Sequence, residues 1–165
     1  MKRVVFLDRD GVINRDHADY TYTLERFVVL PGVPEQIARL KEAGWLVAVI
    51  TNQSGIAKRL YGHTDVALVH AHFEQVLAQA GTAVDGIWYC PHHPDYSACL
   101  CRKPGSLLVE KALALLGADP AQSWFIGDRA RDIEAAQRAG VRGILVDTDA
   151  PLQPVVDRIL LDALV

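Results

Sequence analysis

The sequence predicts an α/β fold built on a doubly wound, Rossmann-like parallel sheet. Short apolar runs recur along the chain without the polar alternation of a strand that faces water on one side. Segments with apolar residues at helical spacing separate these runs, and this order implies right-handed crossovers between parallel strands. Several runs also stop at a polar or acidic residue, at the strand ends where ligands bind in such sheets.

The first predicted strand and the first predicted helix flank a polar segment. Residues 4–7 are all apolar, which is typical of a strand buried on both faces. A polar, tyrosine-containing stretch at 14–26 is predicted to be a loop. A helix is predicted for residues 33–43. Pro31 and Pro34 can open its first turn, and Gly44 ends it.

The middle of the chain continues the same alternation. Residues 45–50 form a second apolar run, which polar residues stop. A helix is predicted for residues 64–80, since Thr64 or Asp65 can cap it and an apolar stripe continues to its end. The third strand, at 86–89, runs into Cys90.

The second half of the chain holds the remaining elements. Ser106 can cap a helix that Gly117 ends. Two further strands are predicted at 123–126 and 143–146, and two further helices at 132–139 and 151–165.

Length and composition favour one globular domain over residues 1–165, acting on a small molecule. A chain of 165 residues can bury a substantial core. The formal net charge is only -3 and like charges do not cluster, which argues against nucleic-acid and membrane partners. The apolar run at the N-terminus is too short for a signal peptide or a membrane span. We expect a cytoplasmic protein that acts as a monomer.

Carboxylates follow two of the predicted strands. Asp8 and Asp10 flank one residue directly after the first strand, and Asp128 follows the fourth. A pair of this kind alone is more often a turn or a helix cap. Its combination with Thr51, which follows another buried strand, instead indicates a site where Mg²⁺ offsets the repulsion between carboxylates and binds phosphate.

Three cysteines crowd into one loop. Cys90, His92, Cys99 and Cys101 provide the four ligands of a closed tetrahedral Zn²⁺ site, and His93 is the rival histidine. The expected reducing compartment argues against disulfides. The odd number of cysteines, three, also argues against a set of paired disulfides. Because a polar loop of this size cannot build its own core, bound zinc would stabilise it.

Four segments resemble the motifs of haloacid dehalogenase (HAD) superfamily phosphatases. They are FLDRDGVIN at 6–14, TNQSGIAKR at 51–59, CRKP at 101–104 and FIGDRARD at 125–132. The resemblance covers nearly the whole chain. It is greatest to the D-glycero-D-manno-heptose-1,7-bisphosphate 7-phosphatases, with the histidinol-phosphate phosphatases as near neighbours. It implies a HAD-like fold, and no segment is long enough for a separate cap domain.

The resemblance also implies a role for each motif residue. Asp8 would be the nucleophile, and Asp10 the acid and base that protonates the leaving group and then activates water. Thr51 and Lys103 would hold the transferring phosphoryl group. Mg²⁺ would be bound by Asp8, by the backbone carbonyl of Asp10 and by Asp128.

Substrate contacts are expected around these residues. Arg102 is the best candidate for a second phosphate, since a guanidinium can bind phosphate through two parallel hydrogen bonds. Two departures from the family pattern, Ala18-Asp19 before Tyr20 and an arginine at 129 where lysine is common, bear on the identity of the sugar. The full set of expected contacts is Arg9, Asp16, Asp19, Tyr20, Asn52, Gln53, Ser54, Arg102 and Arg129.

The resulting hypothesis is a Mg²⁺-dependent phosphatase that removes the 7-phosphate of D-glycero-D-manno-heptose 1,7-bisphosphate through an aspartyl-phosphate. Histidinol phosphate or another small phosphate ester is the alternative substrate, since the short spacing from His92 to Cys99 is nearer to the histidinol-phosphate group. A phosphomutase and a non-catalytic zinc-stabilised binding module are the competing classes. Carbon-halogen chemistry is disfavoured because Asp10 is present.

Overall fold

The computed structural model of the chain describes residues 2–163. Its strands are all parallel and form one five-stranded sheet in the spatial order β3-β2-β1-β4-β5. The predicted α/β class and parallel sheet are therefore confirmed. The strands are β1 (Val4–Leu7), β2 (Leu46–Asn52), β3 (Gly86–Cys90), β4 (Trp124–Gly127) and β5 (Arg142–Leu145).

Helices cover both faces of the sheet, as expected for a doubly wound fold. They are α1 (Val33–Glu42), α2 (His63–Gln79), α3 (Leu107–Leu116), α4 (Ala130–Arg138) and α5 (Gln153–Asp162), with one 3₁₀ turn at Pro120–Gln122. Across residues 2–163, none of these helices combines the length and apolar character needed to cross a membrane.

The element boundaries differ from the predicted ones by a few residues. Strand β2 continues through Thr51 and Asn52, because these polar residues still pair with Tyr89 and Cys90 of β3. Helix α2 begins at His63, with the Gly62 amide donating to the Asp65 carboxylate (2.8 Å). The helix predicted for 151–165 is seen at Gln153–Asp162, and the last two residues of that prediction, 164 and 165, lie outside the described residues.

The two faces of β1 explain why its sequence does not alternate. Val5 and Leu7 belong to a core shared with α1, α2 and α5, while Val4 and Phe6 belong to a second core shared with α3 and α4. All four side chains are fully buried. A strand with a helix layer on each face must be apolar at every position.

The connections place a crevice at the carboxyl end of β1. From β1 the chain passes to β2 and β3 on one side, and then returns to β4 and β5 on the other side. This reversal leaves β1 between β2 and β4, with the crossovers leading away in opposite directions. Ligand sites of open α/β sheets lie at such a reversal, beyond the carboxyl ends of the strands.

Candidate active site

An open cleft of about 600 Å³ lies at the carboxyl ends of β1, β2 and β4. Five residues that were not predicted to contact ligands line it: Ala18, Thr21, Lys58, His93 and Arg131. Of the residues predicted to contact phosphate, sugar or magnesium, all except Arg9 line it: Asp8, Asp10, Asp16, Asp19, Tyr20, Thr51, Asn52, Gln53, Ser54, Arg102, Lys103, Asp128 and Arg129.

The Asp8 carboxylate lies on the floor of the cleft, directly after β1. Its Oδ1 accepts hydrogen bonds from the Lys103 ammonium (2.7 Å) and from the Arg9 backbone amide (2.8 Å). Burial raises the pKa of Asp8 to about 7, although the Lys103 charge opposes that rise. The carboxylate therefore depends on nearby positive charge to stay ionised.

Lys103 supplies part of that charge from a fully buried position. Its Nζ contacts Asp8 Oδ1 (2.7 Å), Asp132 Oδ1 (2.8 Å) and the carbonyl oxygen of Ile50 (2.9 Å). Burial alone lowers the pKa of Lys103, but the carboxylates of Asp8 and Asp132 outweigh it and raise that pKa above its ordinary value. The lysine is thus held as a cation between two carboxylates.

Asp132 is the main residue of this site that the sequence analysis missed. It is fully buried, and besides the Lys103 contact its Oδ2 accepts the Arg129 amide at the start of α4 (3.0 Å). A Cβ at Gly127 would collide with the Asp132 side chain, so the glycine permits this close approach. The available signal was an acidic residue in the first turn of a helix that follows Gly-Asp.

Three carboxylates lie close enough together to bind one magnesium ion. Side-chain oxygens of Asp8, Asp128 and Asp132 lie within 4.8 Å of one another, and the Asp10 carboxylate is not part of this group. Oδ1 of Asp128 is buried without a hydrogen-bond partner among residues 2–163, whereas its Oδ2 accepts from Thr148 (2.7 Å). A buried carboxylate oxygen without a partner is costly unless a cation binds it.

The Asp10 side chain is held away from that group. Its Oδ1 accepts from Arg9 Nη2 (3.0 Å) and Asn14 Nδ2 (2.9 Å), and its Oδ2 lies 3.3 Å from Gln53 Nε2. These contacts keep the Asp10 side chain out of the carboxylate group formed by Asp8, Asp128 and Asp132. Arg9, predicted to contact substrate, is only 1% exposed and lies behind Asp10, outside the cleft lining.

Two polar residues at the end of β2 order the part of the cleft beside Lys103. Asn52 donates to the Lys103 carbonyl (3.2 Å) and accepts from the Lys103 amide (3.0 Å), so its amide fixes the backbone from which the lysine projects. The hydroxyl of Thr51 is buried and accepts from Gln53 Nε2 (3.0 Å).

One rim of the cleft is an acidic loop joined to α4. Arg129 binds the Asp16 carboxylate (2.8 Å) and lies 3.4 Å from Asp128. Asp19 pairs with Arg26 at the surface. The predicted sugar contacts Asp16 and Asp19 are therefore both engaged with arginines.

Another part of the rim is basic and aromatic. The Tyr20 hydroxyl lies 3.4 Å from Ser54 Oγ, and the Lys58 ammonium lies 5.5 Å from the centre of the Tyr20 ring. Arg102 also lines the cleft, with Nη1 at 3.5 Å from the His92 carbonyl. Lys58 was not identified from the sequence, because a lysine after a turn is usually a solvated surface charge.

The predicted zinc ligands lie together. One ligand atom from each of Cys90, His92, Cys99 and Cys101 falls within 4.8 Å of the others, and His92 Nδ1 lies 3.2 Å from Cys101 Sγ. This donor set suits tetrahedral Zn²⁺. The rival His93 is outside the group, accepts the Asp95 amide (3.2 Å) and lines the cleft instead.

The chain is similar in sequence to known phosphatases. Residues 100–156 match the HAD-hydrolase-like family. The chain is 43% identical over 147 residues to the D-glycero-beta-D-manno-heptose-1,7-bisphosphate 7-phosphatase of Pseudomonas aeruginosa, covering 89% of this chain and 82% of that one. It is 41% identical over 157 residues to the D-glycero-D-manno-heptose-1,7-bisphosphate 7-phosphatase of Chlorobaculum tepidum, covering 88% and 79% respectively.

A solved structure agrees in fold as well as in sequence. It is the crystal structure of D,D-heptose 1,7-bisphosphate phosphatase from B. bronchiseptica, complexed with magnesium and phosphate. The TM-score is 0.84 at 39% identity, and the match covers 90% of this chain and 82% of that chain.

Proposed function

Because the chain belongs to the HAD-hydrolase-like family of the D-glycero-D-manno-heptose-1,7-bisphosphate 7-phosphatases, we propose that Asp8 attacks the 7-phosphate of D-glycero-D-manno-heptose 1,7-bisphosphate. The chain is a HAD-type phosphatase and thus a phosphoric monoester hydrolase. One observation carries the assignment of the nucleophile: the Asp8 carboxylate lies on the cleft floor, with Oδ1 held by Lys103 and by a backbone amide. Oδ2 is then the attacking oxygen.

The first step transfers the phosphoryl group to the enzyme. A bond forms between Asp8 Oδ2 and phosphorus as the bond from phosphorus to the sugar oxygen breaks. The electron pair of the broken bond goes to that oxygen, and Asp10 gives it a proton, so that the sugar leaves as an alcohol. Asp10 lines the cleft and is partly exposed, which suits a group that exchanges protons with substrate.

The second step returns the enzyme to its starting state. The Asp10 carboxylate takes a proton from a water molecule whose oxygen attacks phosphorus, and the bond between phosphorus and Asp8 breaks. Inorganic phosphate leaves, and Asp10 is protonated again. Water as the final acceptor distinguishes this reaction from that of a phosphomutase.

Positive charge and hydrogen bonds around the phosphate support both steps. Asp8, Asp128 and the carbonyl of Asp10 would hold Mg²⁺, which supplies charge that offsets the charge of the phosphoryl group. The absence of a hydrogen-bond partner for Asp128 Oδ1 within residues 2–163 supports this ligand set. Thr51 donates its hydroxyl and Lys103 presents its ammonium to the transferring group, since phosphoryl transfer depends mostly on positioning and electrostatics.

The rims of the cleft suit a sugar that carries a second phosphate. Arg102 and Lys58 line the basic rim, and a guanidinium can bind a phosphate through two parallel hydrogen bonds. Sugar hydroxyls would contact the polar groups of Asp16, Tyr20 and Ser54. The remaining expected contacts, Asp19, Asn52, Gln53 and Arg129, line the same cleft.

Several further properties belong to the same proposal. Cys90, His92, Cys99 and Cys101 bind one structural Zn²⁺ that orders the loop before Arg102, supported by their mutual approach. Residues 1–165 form one domain, and the enzyme acts as a cytoplasmic monomer on a small phosphorylated sugar.

Phosphate release from a panel of esters tests the proposal. Heptose 1,7-bisphosphate, histidinol phosphate and other alkyl phosphates would be compared at fixed Mg²⁺, and ³¹P NMR of the heptose product would show which phosphate is lost. We expect loss from position 7, and none with Asp8→Asn although that variant still binds the bisphosphate. Preference for histidinol phosphate, or full activity of Asp8→Asn, would contradict the proposal.

A further inference from the structure

The two oxygens of the Asp10 carboxylate have different surroundings. Oδ1 accepts hydrogen bonds from Arg9 Nη2 (3.0 Å), Arg9 Nε (3.3 Å) and Asn14 Nδ2 (2.9 Å). Among residues 2–163, Oδ2 has one hydrogen-bond contact, and it is longer: Gln53 Nε2 lies 3.3 Å away, on the side of Thr51. One oxygen is therefore saturated with donors, and the other is left free to exchange a proton.

Arg9 is itself fixed from several directions. Its Nη2 also donates to the carbonyl of Thr21 (2.6 Å), its guanidinium lies 5.7 Å from the centre of the Phe27 ring, and Nη1 lies 3.4 Å from His70 Nε2. A guanidinium can only donate, so Nε2 of His70 accepts and the imidazole carries its proton on Nδ1. With only 1% of its surface exposed, Arg9 has no alternative orientation in water.

Hydrogen bonds of the turn after β1, and burial, also fix the position of Asn14. The Asn14 carbonyl accepts from the Gly11 amide (2.8 Å), and its own amide lies 3.3 Å from the Arg9 carbonyl. The side chain is fully buried, and Nδ2 also donates to the Arg15 carbonyl (3.2 Å). Both donors to Oδ1 thus belong to a rigid segment.

From this geometry we propose that Arg9 is a positioning residue which, together with Asn14, keeps Oδ1 of Asp10 as a permanent acceptor and so makes Oδ2 the oxygen that gives and takes the proton. This inference rests on the proposed function. Arginine stays protonated at every pH at which the protein is folded, so its two hydrogen bonds to Oδ1 persist while Asp10 gains and loses its proton. A proton on Oδ1 would have to displace a donor that cannot become an acceptor.

The consequence is a fixed direction for proton transfer. A general acid must lie within hydrogen-bond reach of the leaving oxygen, and without Arg9 the carboxylate can rotate about its Cβ–Cγ bond. Rotation would impair the expulsion of an alcohol, which needs a proton. It would impair the expulsion of 4-nitrophenolate far less, because that anion is stable without one.

The test compares the two leaving groups in the first turnover, with enzyme in excess and Mg²⁺ saturating, so that only formation of the aspartyl-phosphate is observed. Arg9→Met is expected to slow release of the sugar alcohol about 100-fold and release of 4-nitrophenolate less than about fivefold, because general acid catalysis contributes at least two orders of magnitude. Arg9→Lys keeps one donor and should slow alcohol release by about tenfold only. KM for the bisphosphate should stay near the wild-type value, since Arg9 does not line the cleft.

Arg138→Met is the matched control, because this exposed arginine pairs with Glu134 on α4, outside the cleft. It should leave both rates at wild-type values. Equal losses with both leaving groups in the Arg9 variants would overturn the inference, and if Arg9→Met fails to fold the comparison is made with Arg9→Lys. Hydrolysis of the heptose bisphosphate and of 4-nitrophenyl phosphate by the wild-type enzyme tests the proposed function. The ratio of the two rates in the Arg9 variants tests the role of Arg9, so the two ideas are overturned by different measurements.

Discussion

The ammonium of Lys103 lies 2.7 Å from Oδ1 of Asp8, a residue 95 positions earlier in the chain. The same nitrogen lies 2.8 Å from Asp132 Oδ1, and all three side chains are buried. Each charge therefore relies on the others for the stabilisation that water would otherwise provide. The charges that we propose for catalysis therefore also contribute to the stability of the fold.

Replacing the lysine is expected to remove activity and destabilise the fold together. Lys103→Met leaves two buried carboxylates without a counter-charge, and the loss of one partner from a buried ionic group costs about 3–5 kcal/mol. Urea unfolding and phosphate release measure the two effects. In the double variant Lys103→Met/Asp132→Asn part of the stability should return while activity stays absent, because one of the two uncompensated charges is gone. Equal unfolding free energies for the single and double variants would contradict this coupling.

Gly11 is expected to be required by the magnesium site. Its φ is 88°, and a Cβ there would collide with the carboxylate of Asp128 and approach Thr148. Gly11→Ala should raise the Mg²⁺ concentration for half-maximal activity by roughly tenfold, the lower end of the effects seen when groups that orient metal ligands are disturbed.

Gly32→Ala is the matched control for Gly11→Ala. Gly32 has a similar φ of 82°, but a Cβ there would meet no atom of the described part of the chain within 4 Å. Both variants should lose about 1 kcal/mol of stability to the left-handed backbone conformation. Only Gly11→Ala should raise the Mg²⁺ concentration needed for half-maximal activity. An equal rise in both variants would mean that backbone strain, and not the contact with Asp128, causes it.

The layered fold and most of the cleft could be predicted because their signals are local. A strand such as β1, buried by helices on both faces, is apolar at each position. Polar residues directly after such strands must lie at the carboxyl edge of the sheet, which placed Asp8, Thr51 and Asp128 together. Strand order is different, since it depends on long-range pairing that a local pattern does not contain.

The residues that sequence patterns misplaced or missed are those whose roles depend on side-chain direction. Arg9 stands between two aspartates of the first motif, which suggested a contact with substrate, but it points inward and binds Asp10. Asp132 reads as an ordinary first-turn acid of a helix, and only the fold reveals its contact with Lys103. Asn52 lines the cleft, as its prediction requires, but its bonds to the backbone of Lys103 were not predicted.

Removal of one of the proposed zinc ligands is expected to impair substrate binding without changing the dependence of activity on magnesium. Cys101 directly precedes Arg102, so a disordered loop would release the guanidinium that we assign to the second phosphate. Cys99→Ser should lower the zinc content below the value of about one ion per chain expected for a closed four-ligand site, and it should raise KM for the bisphosphate. Metal analysis by mass spectrometry and steady-state kinetics measure these effects.

His93→Gln is the control for the zinc prediction. The imidazole of His93 lies outside the group of ligand atoms, so this variant should keep its zinc. The magnesium dependence of Cys99→Ser should match that of the wild type. Full affinity for the bisphosphate in a zinc-free protein would show that the loop holds Arg102 without metal.

His70 is expected to make the stability of the protein depend on pH. Burial, assisted by the nearby Arg9 charge, lowers the pKa of His70 to about 4 in the folded protein, against about 6.5 in an unfolded chain. Between these values the unfolded state binds a proton that the folded state does not, so the free energy of unfolding falls as pH drops from 6.5 towards 4. Between pH 7 and pH 5 the contribution is about 2 kcal/mol. Urea unfolding at both pH values should give a smaller difference for His70→Gln than for the wild type by about that amount, because the amide does not titrate. The comparison holds if the m-values of the two proteins agree, and an unchanged difference would mean that His70 already binds its proton in the folded state.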